Sequence, residues 1–189
     1  MNQSRELSKL CFAFVAMVLI SIGTECTAQK KDSVKSFYFE NELILQKVYQ
    51  ANLTFEQIVD QIKTDGEFEH IEIGENKIIG RLTPIYADIR GAGYSQMNAP
   101  IFLNKRSKFT GFILFEFKEG RYRITLKKIT LIQQYNDPLA KQGQESSLND
   151  IAVNKKGEFK SGFKKQSAEI LDYTFNSKFL IKKSEASKF

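Results

Sequence analysis

Apolar and polar side chains alternate most regularly in residues 112–131, FILFEFKEGRYRITLKKITL, on both sides of a central Glu119-Gly120. This period of two predicts two strands that each bury one face, joined by a two-residue turn. The pattern also predicts the register, because a slip of one residue would turn one strand over. The pairs expected on the buried face are Phe117 with Tyr122, Phe115 with Ile124 and Ile113 with Leu126. The pairs expected on the other face are Glu116 with Arg123 and Phe112 with Lys127.

The phase of the pattern changes after Lys127-Lys128, where the apolar positions move from even to odd numbers, onto Ile129 and Leu131. One extra residue in a strand shifts the phase in this way. A β-bulge near Lys127 is therefore predicted.

A strand and a capped helix are predicted ahead of this hairpin. The apolar and partly β-branched residues 43–49 indicate the strand. Thr54 and Gln57 have the spacing of a capping box, and Leu53 with Ile58 has that of a hydrophobic staple. Four apolar residues then recur at helical spacing, and the helix should end near Gly66. These residues are Phe55, Ile58, Val59 and Ile62.

A second hairpin is predicted over residues 69–82. Ile71 and Ile73 alternate with polar neighbours, residues 74–76 can turn the chain, and residues 77–82 return it. A looser stretch around residues 91–100, with two glycines and a proline, connects this hairpin to the next one.

The last third of the chain is predicted to hold a loop and a helix. Residues 133–165 are rich in Gly, Ser, Asn and Lys, which indicates a polar insertion or long loop with little regular structure. Apolar residues then recur at helical spacing and predict a terminal helix on the sheet. They are Ala168, Ile170, Leu171, Phe175, Phe179 and Leu180. The whole pattern predicts an α+β fold, with a single antiparallel β-sheet and helices packed on one face.

The N-terminus has the pattern of a secretory signal peptide. Arg5 and Lys9 precede an apolar run over residues 10–22, and small and polar residues follow, ending at Ala28. This run is shorter than the about 20 residues that span a bilayer. We therefore expect a signal peptide over residues 1–28, a single α+β domain over residues 29–189, no transmembrane segment in the mature chain, and export to a bacterial periplasm or envelope. An uncleaved anchor is the main alternative.

Both cysteines of the chain, Cys11 and Cys26, lie ahead of the expected cleavage after Ala28. A mature chain without cysteine has no disulfide and must be stabilised by its core alone. Lipidation at Cys26 is a second alternative, but Glu25 stands where a lipoprotein signal has a small residue.

Charge is distributed unevenly along the chain. Residues 29–100 carry 8 Lys and Arg against 11 Asp and Glu, whereas residues 101–189 carry 18 against 9. Such asymmetry favours a surface that meets anions. Nucleic acid is not an expected natural partner, because export removes the chain from the cytoplasm.

Three phrases of the sequence carry a resemblance to a known family. They are ILQKVYQANLT at residues 44–54, NKIIG at 76–80 and FEFKEGRYRITLKKI at 115–129. Over about residues 37–135 the chain resembles a family of exported bacterial domains of unknown function, described as having a TATA-box-binding-protein-like fold. The resemblance implies that fold, but it implies no catalytic residues, because the family has no assigned activity. A fold name alone is no evidence of DNA binding.

Residues that could support catalysis or metal binding are few. His70 is the only histidine, and its place in the strand alternation favours an exposed side chain over a general base. The nearby acids alternate with apolar residues and lack the spacing of a calcium loop, so a solvated strand face is favoured. These acids are Asp65, Glu67, Glu69, Glu72 and Glu75. No phosphate-binding glycine motif is present. We expect no catalytic, cofactor-binding or metal-binding residues.

The outer face of the main hairpin is the candidate interaction face. It combines basic and apolar side chains, namely Phe112, Leu114, Arg121, Arg123 and Lys127. Five lysines between residues 155 and 165 surround Phe159 and Phe163 in a second basic region. Solvated cations on a wet sheet face would explain the charges. Two apolar residues on that face instead suggest that a loop, the terminal helix or a partner covers them.

These observations predict an exported, non-catalytic binding or interaction module whose partner is a protein or another envelope component. Two alternatives stay open. One is a carboxylate-dependent enzyme, which requires acids that converge in a pocket. The other is a protein that binds polyanions or anionic lipids at a peripheral surface, which predicts affinity that falls steeply with salt.

The export hypothesis predicts that the mature chain begins at Gln29. Intact mass spectrometry of the protein recovered from the periplasm measures this directly. A chain that retains residues 1–28 would contradict cleavage, and an acylated chain beginning at Cys26 would support the lipidation alternative.

Overall fold

One antiparallel sheet organises the chain in the computed structural model, which describes residues 33–138 and 140–181. Its strands are β1 (Ser33–Val34), β2 (Phe37–Glu40), β3 (Glu42–Gln50), β4 (Phe68–Ile73), β5 (Lys77–Ile85), β6 (Ser107–Lys118), β7 (Arg121–Gln133) and β8 (Glu145–Ser147). Their order is β1-β2-β3-β7-β6-β5-β4, and β8 pairs with β7 beyond the part that β3 occupies. Helices pack on one face of this sheet, so the predicted α+β class is confirmed.

Helices connect and cover the strands. They are α1 (Phe55–Thr64), a 3₁₀ turn (Ile101–Leu103), α2 (Leu148–Ala152), a π-helical turn (Phe163–Ser167) and α3 (Ala168–Phe179). The predicted capping box starts α1: Thr54 Oγ1 accepts from the Gln57 amide at 3.3 Å, and Gln57 Oε1 accepts from the Thr54 amide at 3.0 Å. Asp65 caps the other end, and Gly66 follows with a φ of 63°. The buried face of α1 consists of Ile58, Val59 and Ile62.

The β6–β7 hairpin has the predicted register at every pair. Its turn consists of Glu119 and Gly120, whose φ angles of 46° and 73° are both left-handed. Left-handed conformation at both turn residues is the signature of a type I′ turn, which matches the twist of the strands. Between the turn and residues 112 and 127, the hairpin side chains buried in the core are Ile113, Phe115, Tyr122, Ile124 and Leu126.

The predicted bulge lies on β7 at Lys128, which has a φ of 49°. The β6–β7 register shifts between Thr110 and Phe112, so Gly111 faces the extra residue. A Cβ on Gly111 would lie 2.8 Å from the carbonyl oxygen of Lys127. Glycine is therefore required opposite the bulge, and the bulge lets β7 bury even-numbered residues before it and odd-numbered residues after it.

The β4–β5 hairpin forms as predicted, but it contains a bulge that the alternation did not show. The register shifts between Glu69 and Glu72, and His70 has a φ of 53°. Ile71 stays half-buried against the core, whereas Ile73 is exposed near the end of this edge strand. An edge strand tolerates such an irregularity because only one side of it is paired.

The terminal helix α3 packs on the sheet as predicted. Phe175 contacts the ring of Phe109 edge-on at 6.5 Å between centroids, and Phe179 stacks on Phe68 at 6.3 Å. The Tyr122 hydroxyl donates to the Phe179 carbonyl and accepts from the Ile181 amide, both at 2.9 Å, so β7 holds the end of α3. Leu180 differs from the expectation: it caps the helix in an extended conformation and is 47% exposed.

The expectation of little regular structure over residues 133–165 is wrong in part. The segment forms β8 and α2, and it buries Leu148, Ala152 and Phe159 in the common core. The side chain of Asn149 accepts from the Leu43 amide at 2.9 Å, which ties α2 to β3. A few apolar residues at the correct spacing are enough to anchor these elements in the core, although the composition of the segment is polar.

Within the described residues, no helix has the length and apolar character needed to cross a membrane. The expected signal peptide over residues 1–28 lies outside the described residues.

Replacement of Gly111 should destabilise the fold. In Gly111→Ala the added methyl group meets the Lys127 carbonyl oxygen, and overpacking of this kind costs about 1–3 kcal/mol. Guanidinium unfolding of both proteins measures the loss. Gly162→Ala is the matched control, because beyond its chain neighbours and its own helix backbone no atom lies within 4 Å of the added Cβ. Equal stability of Gly111→Ala and the unmodified chain would contradict the close approach at the bulge.

Candidate functional site

The open face is the side of the sheet that carries Val48, Ile79, Phe112 and Leu114, opposite the helices. Val48 is 52% exposed, Ile79 40% and Phe112 51%, and Leu114 is half-buried. Neither a loop nor α3 covers these residues in the described chain. The apolar character predicted for this face from Phe112 and Leu114 therefore extends over β3 and β5 as well.

Strand register places the side chains of the open face in rows across the sheet. One row contains Gln46, Thr125, Leu114, Ile79 and Glu72, from β3, β7, β6, β5 and β4 in that order. The next row, one step nearer the Glu119-Gly120 turn, contains the four residues Val48, Arg123, Glu116 and Lys77. Lys118 and Arg121 form a last pair beside the turn. The row of Leu114 and Ile79 therefore carries no cation, whereas Val48 shares its row with Arg123 and Lys77.

A concavity of about 780 Å³ lies at the end of the open face nearest the turns. Its apolar floor is Val48, Ile79 and Leu114, and its basic rim is Lys77, Lys118, Arg121 and Arg123. Glu75, Asn76, Glu116 and Phe117 complete the lining. The Phe117 amide donates to the Asn76 carbonyl at 2.9 Å, which holds the β4–β5 turn against β6 as one wall.

Arg123 and Glu116 form a bidentate ion pair inside the concavity. Arg123 Nε lies 2.8 Å from Glu116 Oε2, and Nη2 lies 2.8 Å from Oε1. These hydrogen bonds raise the pKa of the Arg123 guanidinium. Both side chains are more than a third exposed, so the pair contributes little to stability. Arg123 therefore already has an anionic partner within the protein.

Lys118 and Arg121 face each other across the hairpin next to its turn. Both are exposed, and neither forms an ion pair with any residue in 33–138 or 140–181. Like charges directly opposite each other destabilise a strand pair. The two cations are therefore available to an external anion.

The five residues predicted as the interaction face do share one face. Leu114, Arg121 and Arg123 line the concavity, whereas Phe112 and Lys127 pair with each other beside it. Cations surround Phe112: Lys128 Nζ lies 5.4 Å from the centroid of its ring, and Arg81 is its cross-strand neighbour on β5.

The apolar and basic residues of the concavity that sequence reasoning missed are Val48, Ile79, Lys77 and Lys118. The pairing of β3 with β7 brings Val48 beside Arg123, and no local pattern indicates that pairing. Ile79 follows Ile78 directly in the sequence. In a strand, two adjacent apolar residues point to opposite faces. This was the one signal that could have identified Ile79.

The acids around His70 do not converge on a pocket. Glu67 pairs with Lys178 of α3 at 2.6 Å, whereas Glu69 pairs with Arg81 of β5 at 3.8 Å. Glu72 and His70 are exposed, as predicted. Within the described residues, no group of three His, Cys, Asp or Glu side chains could hold a metal ion.

The second basic region differs from the expectation. Phe159 and Phe163 are buried and stack on each other at 5.8 Å between centroids, and Phe163 also contacts Phe37. The aromatic residues among these lysines therefore belong to the core, which leaves the region without exposed aromatic rings for binding.

No protein-family model, curated protein or solved structure matches this chain. The resemblance to the exported bacterial family therefore stays a prediction.

The Glu116–Arg123 pair should couple only weakly in unfolding experiments. A double-mutant cycle of Glu116→Gln and Arg123→Gln is expected to give about 0.5 kcal/mol, and less in high salt, because the pair is exposed. The cycle of Glu116→Gln with Lys127→Gln, two rows away, is the control and should give no coupling. A coupling above about 2 kcal/mol would contradict a solvent-accessible pair.

Proposed function

We propose that this chain is a non-catalytic binding protein of the bacterial cell envelope, and that the concavity on its open face is the binding site. One observation carries the proposal: an apolar floor and a basic rim occur together in a concave part of an otherwise uncovered sheet face. Ligand sites commonly combine apolar lining with a few convergent polar groups. The envelope location rests on the signal-peptide pattern of residues 1–28.

The carboxylate-dependent enzyme is less well supported. It needs acids that act together, but Glu67 and Glu69 pair with cations on different elements. Glu116, one of the two acids that line the concavity, is held by Arg123. A carboxylate in a bidentate pair with arginine is a poor general base, because the pair stabilises its ionised form.

A dye that is both apolar and anionic, anilinonaphthalene sulfonate, tests the site. We expect saturable binding of one dye molecule to the folded chain, with enhanced fluorescence. Ile79→Glu should weaken this binding at least about tenfold, because it places a carboxylate in the floor. Ile79 is partly exposed, so the variant should fold.

Tyr173→Glu is the matched control, since Tyr173 is 42% exposed and lies on α3. It introduces the same charge away from the open face and should leave dye binding unchanged. Circular dichroism and unfolding midpoints establish that the variants are folded. Equal dye affinity in Ile79→Glu and the unmodified chain would refute the proposed site.

A further inference from the structure

We infer that the ligand of the concavity is a small amphiphile, with one anionic head group, a carboxylate or a phosphate, and an apolar tail. The inference rests on the proposed function and gives the ligand a chemical class. It combines three features of the concavity: its volume, the unpaired cations at the turn and the apolar floor next to them.

Volume favours a small molecule. The concavity of about 780 Å³ lies in the range of about 300–1,000 Å³ that is usual for small-molecule sites. A stable protein partner would need a contact of about 800 Å² on each side, much of it apolar. The open face instead places three of its apolar residues, Val48, Ile79 and Leu114, within a concavity that four cations also line.

Charge places the head group beside the Glu119-Gly120 turn. Four cations and two carboxylates line the concavity, and Glu116 already holds Arg123. Arg121 and Lys118 face each other without an ion pair in residues 33–138 and 140–181, and an anion between them would relieve their repulsion. The planar guanidinium of Arg121 suits either a carboxylate or a phosphate.

The floor places the tail along β6. Lys118 and Leu114 lie on the same face of β6 with the Arg123-paired Glu116 between them, and four strand residues span about 13 Å. From Leu114 the tail can contact Ile79 and Val48 within the concavity. Phe112 continues the apolar path beyond the lining, at about 20 Å from the head group.

An anionic bilayer also combines negative charge with apolar chains, but it fits the geometry less well. Bilayers receive side chains that project from a surface. Here the apolar lining consists of the shorter Val, Ile and Leu side chains, and the longer side chains of the same lining are those of Lys and Arg. A single chain can enter between those cations, so the observations favour a monomeric amphiphile.

Calorimetric titration with monomeric amphiphiles tests the inference. Hexanoate, octanoate and decanoate vary the tail, while decyl phosphate, decyl maltoside and decyltrimethylammonium vary the head, all below micelle formation. We expect affinity to rise about fourfold per added methylene. Decanoate and decyl phosphate should bind more tightly than decyl maltoside, and decyltrimethylammonium should bind most weakly. The ratio of the two anionic ligands distinguishes a carboxylate source from a phosphate source.

Arg121→Gln should weaken decanoate binding about tenfold and leave decyl maltoside binding unchanged, because it removes a charged hydrogen bond to the head group only. Lys156→Gln is the matched control: it removes the same charge from an exposed loop and should change neither affinity. An equal loss in both variants would mean that only net charge matters, and would overturn the assigned head-group site.

Three results would overturn the inference. They are affinity that does not depend on tail length, decyltrimethylammonium binding as tightly as decanoate, and binding only to anionic vesicles or to heparin. If the dye still binds in a manner sensitive to Ile79→Glu, these results remove the ligand class and leave the proposed function standing. If neither the dye nor any amphiphile binds, the proposed function fails as well.

Discussion

The two-residue turn at Glu119-Gly120 is the constraint on which the rest of the sheet depends. Its left-handed conformations set the register of the two longest strands, and that register decides which residues face the helices and which face outward. Glu119 is not a favoured residue for such a conformation, so packing around Phe115 and Tyr122 must offset a local cost. A loop one residue longer or shorter would turn one strand over and mix the charged and apolar residues of both faces.

Local signals were enough to predict the elements whose partners are close in sequence. The hairpin register, the bulge near Lys127, the capping box at Thr54 and the terminal helix all follow from patterns within short windows. The bulge at His70 left no such signal, because the isoleucines around it still alternate. Within residues 133–165, the polar composition concealed the few buried residues that form α2 and its contacts.

Only part of the candidate site could be predicted from the sequence. The hairpin supplies Leu114, Arg121 and Arg123, and its alternation placed them on one face. Lys118 is a further rim residue of the hairpin; Val48, Ile79 and Lys77 come from β3 and β5, and their positions depend on which strands become neighbours. Sheet order is a property of the whole chain and is not encoded in any single window. The anomaly of apolar residues on a wet face was the informative signal, because exposed apolar surface usually has a role.

Sheet order has a kinetic consequence for the concavity. Strands β4 to β7 form a meander of sequential neighbours, whereas β3 reaches the sheet by pairing Leu45 with Leu126, far along the chain. Closing a long loop costs more entropy than closing a short one, so the meander has the cheaper route to assembly. Ile79 and Leu114 belong to the meander, but Val48 arrives with β3. The apolar floor is therefore complete only after the most distant strand pairing has formed, and a partly folded chain would display the basic rim and the rest of the floor without Val48.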